Sequence, residues 1–343
     1  MKSQTLDVSE SVLFCAILTV HVTGVVTNSL NVRVFLRQGV SSDSTTVSMF
    51  ALAVSNLLGS LLIIPKALCF YVDKYVQIEN YAEDSCNTWS ELTLAYPHIM
   101  FSRITCWIIV YISVERALSV LIPLRVKLFI TSKTASFVML TIYVFYICFH
   151  VPFGANVRIV LAQEPAINGT VTAISQETAL GKVFLKINSL LGNTILTTTA
   201  MIIIAVTTVV MLRRLRSLGK WRNAQPSSVM VFSLESAMPA VHVSPYVSMS
   251  RKDKEVIKMV STITGVYLVC LSGSHVPGMC ICFIPEMYLN GVNSALFHLA
   301  YSLKYLFDGI NSSVNFFFYF RLSRKYRDTF CKLFSSSKWT TDR

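Results

Sequence analysis

Apolar residues occur in seven long runs separated by polar segments, and this pattern dominates the chain. A hydrocarbon layer of about 30 Å is crossed by about 20 helical residues, so each run is long enough to form a transmembrane helix. The predicted spans cover residues 12–35, 47–72, 92–121, 135–153, 186–212, 256–284 and 295–320. The pattern therefore predicts an all-α membrane protein, a seven-transmembrane helix bundle at residues 12–320 that follows a short N-terminal segment at residues 1–11.

The segments at residues 321–343 and 213–255 have different patterns. Apolar Leu322, Tyr326, Phe330 and Phe334 recur with basic residues between them. This spacing predicts a C-terminal amphipathic helix that lies on the membrane surface. The segment at residues 213–255 is rich in Ser and Pro in its middle, which predicts a mobile inner loop.

Composition and charge support a membrane protein and predict its orientation. Of the 343 residues, 53% are hydrophobic and 14% are charged, whereas soluble domains carry about 25% charged residues. The net charge is +12, but most Lys and Arg residues fall on one side of the predicted spans and the acidic residues lean to the other. This positive-inside distribution predicts a multi-pass membrane protein with its N-terminus outside and its C-terminus inside the cell, and it argues against nucleic-acid binding.

Cysteine and asparagine positions add two expectations. Most of the nine cysteines, Cys69 among them, lie in or near the predicted spans, where cysteine behaves as a small hydrophobe. Cys86 lies in a predicted outer loop. Asn168 begins an Asn-Gly-Thr sequence in the second outer loop, which fits an N-glycosylation acceptor.

Polar residues inside the apolar runs are the strongest functional signal. Asn28, Asn56, Asn311 and Asn315 each interrupt a predicted helix, and a lipid-facing amide would leave its hydrogen-bonding groups unpaired. They are expected to form an interhelical polar network, and ordinary helix–helix contacts remain the alternative. The charged pair Glu115-Arg116 ends the third span, and charges at the end of a membrane-length helix are usually functional.

Together these residues resemble a known family, the rhodopsin-like G-protein-coupled receptors. The resemblance rests on the following motifs: Asn28 in GVVTNSLNVRVF, Asn56 in LAVSN, Glu115-Arg116 followed by Pro123-Leu124, and Asn315-Phe316-Phe317-Phe318-Tyr319 followed by an amphipathic helix. Within that superfamily, the stretch YPHIMFSRITCWIIVYISVERALSVLIPLRVK is most similar to chemosensory receptors of gastropod molluscs.

The resemblance implies roles at the matching positions on the inner side. Arg116 is expected to pair with Glu115 at rest and to face a G protein when the bundle opens, and Tyr319, four residues after Asn315, is expected to swing inward. Cys331 is expected to carry a palmitoyl group, with a plain buried thiol as the alternative. Basic residues at the ends of spans five and six are expected either to face a G protein or to bind anionic lipid headgroups. They are Arg213, Arg214, Lys254 and Lys258.

Several residues depart from the family pattern. Asn56 stands where relatives have Asp, so modulation by sodium is not expected. Phe316 stands where relatives have Pro, and Cys270 is not followed by Trp. The second outer loop contains no cysteine, so the family's usual disulfide cannot form and Cys86 is either free or paired with another partner.

Five ionisable residues in the outer half of the spans define the candidate ligand pocket: Lys66, His98, Arg103, Lys304 and Asp308. His98 stands where amine receptors carry Asp, which argues against a biogenic amine. Pairing of Asp308 with Arg103 or Lys66 would leave net positive charge in the pocket, and this arrangement predicts a ligand with an acidic or carbonyl group. The alternative is a purely structural ion pair.

The sequence shows no enzyme signature and no His/Cys cluster at metal spacing, so neither a cofactor nor a metal is expected. The function predicted is a G-protein-coupled receptor that binds an extracellular chemosensory small molecule or a peptide and activates a heterotrimeric G protein. The alternatives are a receptor-like protein that does not couple, and a channel or transporter that uses the buried charges. The chain lacks the duplicated halves of many transporters.

Overall fold

The computed structural model describes residues 2–75, 85–163, 171–224, 251–284 and 294–335. The helices of the bundle, in chain order, are α1 (Lys2–Gln38), α2 (Ser44–Tyr75), α3 (Ser85–Ser90), α4 (Tyr96–Leu121), α5 (Pro123–Phe129), α6 (Ser132–Gly154), α7 (Ala179–Ile187), α8 (Thr197–Ala224), α9 (Arg251–Phe283), α10 (Ser294–Leu322) and α11 (Arg324–Ser335). Two strands, β1 (Val157–Gln163) and β2 (Val171–Glu177), precede α7.

Two of the membrane spans are composite helices. A π-helical segment, Glu91–Ala95, joins α3 to α4, and a second one, Asn188–Leu196, joins α7 to α8. By length and composition, five of the described helices are apolar enough to cross a membrane, and they cover Ser11–Gln38, Ser44–Asp73, Cys86–Leu121, Ser132–Gly154 and Ala179–Arg214. With α9 and α10, each predicted span corresponds to one continuous helical segment.

Helix α4 lies at the centre of the bundle. It packs against α2 on one side and α8 on the other, while α10 packs against α1 and α9. The buried side chains Ile104, Ile108 and Ile112 come from α4, whereas α6 exposes large apolar residues such as Phe137 and Leu140. Large apolar side chains on the outer surface of a helical bundle fit a lipid environment, so the burial pattern supports a membrane-spanning bundle.

The second outer loop contains a β-hairpin that sequence reasoning had missed. Strands β1 and β2 pair antiparallel from Val157 opposite Glu177 to Gln163 opposite Val171. The predicted loop was treated as polar, although β-branched residues favour strands. Asn168 lies outside the described residues. We call the end of the bundle that carries this hairpin the outer end, following the charge-based orientation, and the opposite end the inner end.

Helical structure extends into both ends of the segment at residues 213–255 that was predicted as a mobile inner loop. Helix α8 continues to Ala224 and α9 begins at Arg251, so helical structure extends beyond the predicted spans. Basic and polar residues extend a helix where lipid is no longer its surroundings, and hydropathy alone therefore ends a span too early.

Cys86 is bonded to Cys69, so the expectation that Cys69 acts as a plain hydrophobe in a span is wrong. The disulfide joins the outer part of α2 to α3, with a Cα–Cα distance of 5.0 Å. Of the two alternatives for Cys86, the structure has the unconventional pairing. This bond fixes the start of the third span to the end of the second.

The predicted amphipathic helix is present as α11 and packs against the inner end. Tyr326 is 2% exposed, and its ring lies 5.6 Å from that of Tyr319. Lys325 Nζ lies 3.3 Å from Asp43 Oδ2 in the first inner loop. Burial alone would raise the pKa of Asp43, but hydrogen bonds from Thr46 and the charge of Lys325 outweigh it and hold this pKa below its ordinary value.

Candidate functional site

In the part of the chain that the structure describes, the five predicted pocket residues line three neighbouring cavities in the outer half of the bundle. Arg103 and Lys304 line a cavity of about 110 Å³ where α4, α7, α9 and α10 meet. Lys66 lines a larger one of about 330 Å³ between α1, α2 and α10. His98 and Asp308 line a third, of about 20 Å³, in the bundle core. We call these the cationic, apolar and core cavities.

Arg103 in the cationic cavity is held by polar groups of two other spans. Its guanidinium donates a hydrogen bond to Asn188 Oδ1, and its Nη1 lies 3.1 Å from His150 Nε2. His150 Nδ1 lies 2.8 Å from the carbonyl of Tyr146 and must donate to it, because a carbonyl only accepts. In a neutral His150, Nε2 is then the acceptor for Arg103. The guanidinium is therefore oriented by an amide and an imidazole at the cavity wall.

Asp308 pairs with Lys304, so the predicted pairing with Arg103 or Lys66 is wrong. Lys304 Nζ lies 2.9 Å from Asp308 Oδ2, and residues four apart on one helix are neighbours on the same face. Ser102 Oγ donates to the same oxygen at 3.1 Å, and His98 Nε2 lies 3.5 Å from it. The carboxylate of Asp308 is thus held from α4 and from its own helix.

Lys66 has a partner that the sequence reasoning had missed. Its Nζ lies 2.7 Å from Glu91 Oε1 and donates to Asn87 Oδ1 at 2.8 Å. Glu91 was assigned to the outer loop, but the π-helical segment places it beside α2. A turn with i→i+5 hydrogen bonds is rare, and no pattern in the sequence signals it.

The predicted interhelical polar network is only partly formed by the four asparagines. Asn28 Nδ2 donates to Ser312 O at 2.8 Å and to Ser312 Oγ at 3.1 Å, and Asn56 Oδ1 accepts from Thr105 Oγ1 at 2.9 Å. Asn315 Nδ2 donates to Asn311 O at 3.3 Å within α10. Asn28 and Asn56 therefore join different helices, while the contact between the other two stays within one helix.

Sequence reasoning missed several members of this network. Ser312 Oγ also donates to Asn56 O at 3.4 Å and lies 2.9 Å from Ser60 Oγ. Asn31 Nδ2 donates to Asn28 Oδ1 at 3.3 Å, and Asn31 accepts from Tyr326 Oη at 2.7 Å. The position of Asn31 three residues after Asn28 was a usable signal, because such residues share a helix face.

Glu115 and Arg116 at the inner end of α4 form an ion pair. Glu115 is 2% exposed, and its Oε1 lies 2.5 Å from Arg116 Nη2. Its Oε1 also accepts from Ser44 Oγ at 2.6 Å, and Arg116 donates to Thr45 Oγ1. The pair is therefore tied to the start of α2, a contact that sequence reasoning had not foreseen.

The other predicted inner residues lie in different surroundings. Tyr319 is buried, with its ring 5.6 Å from that of Phe35. Arg213 is exposed and Arg214 is half-buried at the inner part of α8. Lys254 and Lys258 belong to α9, but their side chains lie outside the described part of the chain. Cys331 is exposed on α11, so it is not a plain buried thiol.

Comparison with known proteins identifies the family. A family model described as "Serpentine type 7TM GPCR chemoreceptor Srw" matches residues 16–337. The chain is also similar to neuromedin-U receptor 2 of Mus musculus, with 26% identity over an alignment that covers 98% of this chain and 78% of that receptor. These matches confirm the prediction of a G-protein-coupled receptor rather than an enzyme. The chain belongs to the serpentine 7TM G-protein-coupled chemoreceptor family Srw.

Proposed function

We propose that this receptor binds a ligand with a carboxylate or carbonyl group in the cationic cavity. The observation that carries the proposal is that two cations, Arg103 and Lys304, line the same cavity. Among the described residues that line it, none is acidic. Arg103 is 8% exposed and Lys304 is 9% exposed, so an incoming anion would meet the charge of Arg103, and that of a Lys304 shared with Asp308, in surroundings that water screens poorly.

The remaining lining residues favour a small polar group rather than a bulky one. Tyr96, Asn188, Ser189 and Asn193 supply hydroxyl and amide groups, and a few convergent polar groups of this kind fix the orientation of a ligand. A volume of about 110 Å³ is below the ~300 Å³ lower range of complete small-molecule sites. The cavity therefore fits the acidic end of a chemosensory small molecule or of a peptide.

The ligand test compares matched compounds with one carbon skeleton and a carboxylate, a primary amide or an amine as end group. Guanine-nucleotide exchange should respond most strongly to the carboxylate and least to the amine. Arg103→Ala should weaken the response about tenfold to a hundredfold, the effect of losing a hydrogen bond to a charged group. Arg158→Ala, at an exposed arginine of β1, is the matched control. An unchanged carboxylate response in Arg103→Ala would contradict the proposal.

We also propose that the inner end couples to a heterotrimeric G protein through Arg116, with Arg213 and Arg214 beside the docking surface. Helix α5 supports this surface because its Leu128 and Phe129 side chains are 75% and 69% exposed next to the end of α4. Arg116→Ala should abolish ligand-stimulated exchange while surface expression is retained. Full exchange in this variant would refute the role of Arg116.

The proposed location is the plasma membrane, with the N-terminus outside and the C-terminus inside. The support is the concentration of Lys and Arg at one end of the bundle. Epitope tags at the two termini, detected on intact and on permeabilised cells, test this orientation. Staining of the C-terminal tag on intact cells would overturn it.

A further inference from the structure

The apolar cavity is the largest of the three and is separate from the site proposed above. It measures about 330 Å³, which falls within the ~300–1,000 Å³ range of small-molecule sites. Most of its wall is apolar, with Leu13, Ile17, Ile63, Ala67, Leu296 and Leu299 from α1, α2 and α10. Tyr301 lines both this cavity and the cationic one, so the two lie on adjacent faces of α10.

One buried cation stands in this apolar wall. The Lys66 side chain is 8% exposed, whereas its partner Glu91 is 40% exposed. Asn87 holds the ammonium group from the other side, at 2.8 Å, and the ring of Phe70 has its centroid 5.8 Å from Nζ. The ammonium is therefore fixed in place, and its carboxylate partner is the member of the pair that reaches water.

This asymmetry determines which ligands the cavity can accept. Glu91 can turn into solvent, because its carboxylate is already partly exposed and is readily solvated. Lys66 cannot follow it, and a buried ammonium without a counter-charge is strongly unfavourable. A ligand that displaces Glu91 must consequently bring its own anion.

We infer that the apolar cavity binds an apolar carboxylic acid, whose carboxylate replaces Glu91 at Lys66 and whose hydrocarbon part fills the space between α1, α2 and α10. No covalent step is involved. The site is distinct from the cationic cavity and does not depend on Arg103. The same chemistry is shared by acids that arrive from water and by fatty acids that arrive through the bilayer.

The test uses the purified full-length receptor in lipid nanodiscs with decanoate, decan-1-ol and decylamine as probes. Binding is measured with labelled probe after subtraction of the signal from protein-free nanodiscs, which removes simple partitioning into lipid. Decanoate should bind saturably and the other two should bind much more weakly. Equal binding of the alcohol, or stronger binding of the amine, would overturn the inference.

Substitutions at the ion pair should change decanoate affinity in opposite directions. Lys66→Met should weaken binding about tenfold to a hundredfold. Glu91→Gln should strengthen it about two- to fivefold, because the competing carboxylate is removed from a partly exposed pair. Lys182→Met, at an exposed lysine of α7, is the control for loss of a positive charge. Weaker or unchanged binding in Glu91→Gln would contradict the exchange of carboxylates.

Two further variants separate this site from the proposed receptor ligand site and guard against misfolding. Ala67→Leu keeps all charges but adds volume to the cavity wall, and it should abolish decanoate binding. Arg103→Ala should leave decanoate binding intact even where it abolishes the response to the receptor's ligand. Loss of decanoate binding in Arg103→Ala, with Ala67→Leu still binding, would place the probe in the cationic cavity and refute the inference.

Discussion

The ion pair at the inner end of α4 provides the most direct test of how the closed bundle is held. Oε1 of Glu115 accepts hydrogen bonds from Ser44 at 2.6 Å, Thr45 at 3.3 Å and Arg116 at 2.5 Å. Three donors converge on one oxygen, and two of them belong to α2. The substitution Glu115→Gln keeps the shape and an acceptor oxygen but removes the charge that makes these bonds strong.

The expected size of the effect follows from those bonds. A hydrogen bond to a charged group contributes about 1.5–3 kcal/mol and a neutral one about 0.5–1.5 kcal/mol. The bond from Arg116 keeps its charged donor in the variant and the Thr45 contact is long at 3.3 Å, so the Ser44 bond accounts for most of the change and the closed state loses about 1–2 kcal/mol. Since about 1.4 kcal/mol is a tenfold change in an equilibrium constant, the ratio of open to closed receptor should rise about five- to thirtyfold. A resting open population of about 1% would then become roughly 5–23%.

The assay is guanine-nucleotide exchange without ligand, in membranes with matched receptor levels. Glu115→Gln should raise this basal exchange, and Ser44→Ala should raise it less because it removes one of the three donors. The control is Ser136→Ala, since the Ser136 hydroxyl bonds only to its own helix at Ser132 O, 2.9 Å away, among the contacts described. In the Glu115→Gln background, Ser44→Ala should raise basal exchange little further. Basal exchange equal to the parent in Glu115→Gln would refute the reasoning.

Four shorter predictions concern the rest of the chain. Cys86→Ser should lower the thermal midpoint of the purified receptor, because a disulfide that closes a loop of sequence separation 17 stabilises a fold by about 3 kcal/mol. A reducing agent should lower the midpoint of the parent receptor equally, and no shift would contradict this prediction. Tyr326→Phe removes the hydroxyl that donates to Asn31 Oδ1, so it should lower the free energy of unfolding by about 1–3 kcal/mol. An unchanged thermal midpoint would argue against this hydrogen bond. The pKa of Asp43 is lower in the folded state than in the unfolded state. Its contact with Lys325 therefore stabilises the fold at pH values above the unfolded-state pKa, and this stabilisation is lost as the pH falls through the folded-state pKa. Asp43→Asn should reduce the difference between the thermal midpoints at pH 6 and pH 3, and an undiminished difference would contradict this prediction. Replacing sodium by choline should leave ligand affinity unchanged, and a clear sodium effect would contradict this prediction.

The helices could be predicted from the sequence because their signal is spread over many residues. Each span contains a run of apolar side chains, and a change at one position does not alter the hydropathy of the run. The ends of the spans were less accurate. The inner part of α8, up to Ala224, is basic rather than apolar, so hydropathy placed its end near residue 212 although the backbone hydrogen bonds continue.

The five predicted pocket residues line cavities in the outer half of the bundle, but their pairing was not predictable from a linear pattern. Asp308 and Lys304 are four residues apart on one helix. This spacing was a better guide to the partner of Asp308 than the presence of the more distant Arg103. Lys66 pairs with Glu91 only because a π-helical segment turns that side chain toward α2. Distances between helices depend on such irregular turns, and the sequence gives no direct signal for them.

The core of this receptor also shows how a missing acid in α2 is accommodated. Asn56 is neutral, and its Oδ1 accepts from Thr105 in α4, so α2 presents no charge to the core cavity. The buried carboxylate comes from Asp308 in α10, where Lys304 lies 2.9 Å away on the same helix. A cavity of about 20 Å³ has room for about one water molecule.

Lys304 thus supplies the counter-charge of the buried carboxylate from within the same helix. The same lysine lines the cationic cavity. A ligand carboxylate that draws Lys304 away would weaken its hold on Asp308, whose other neighbours are Ser102 and His98 of α4. Binding of the proposed ligand would therefore be linked to the packing of α10 against α4 through one ammonium group. Substitution of Asp308 by Asn should raise ligand affinity while it weakens the transmission of binding to the inner end.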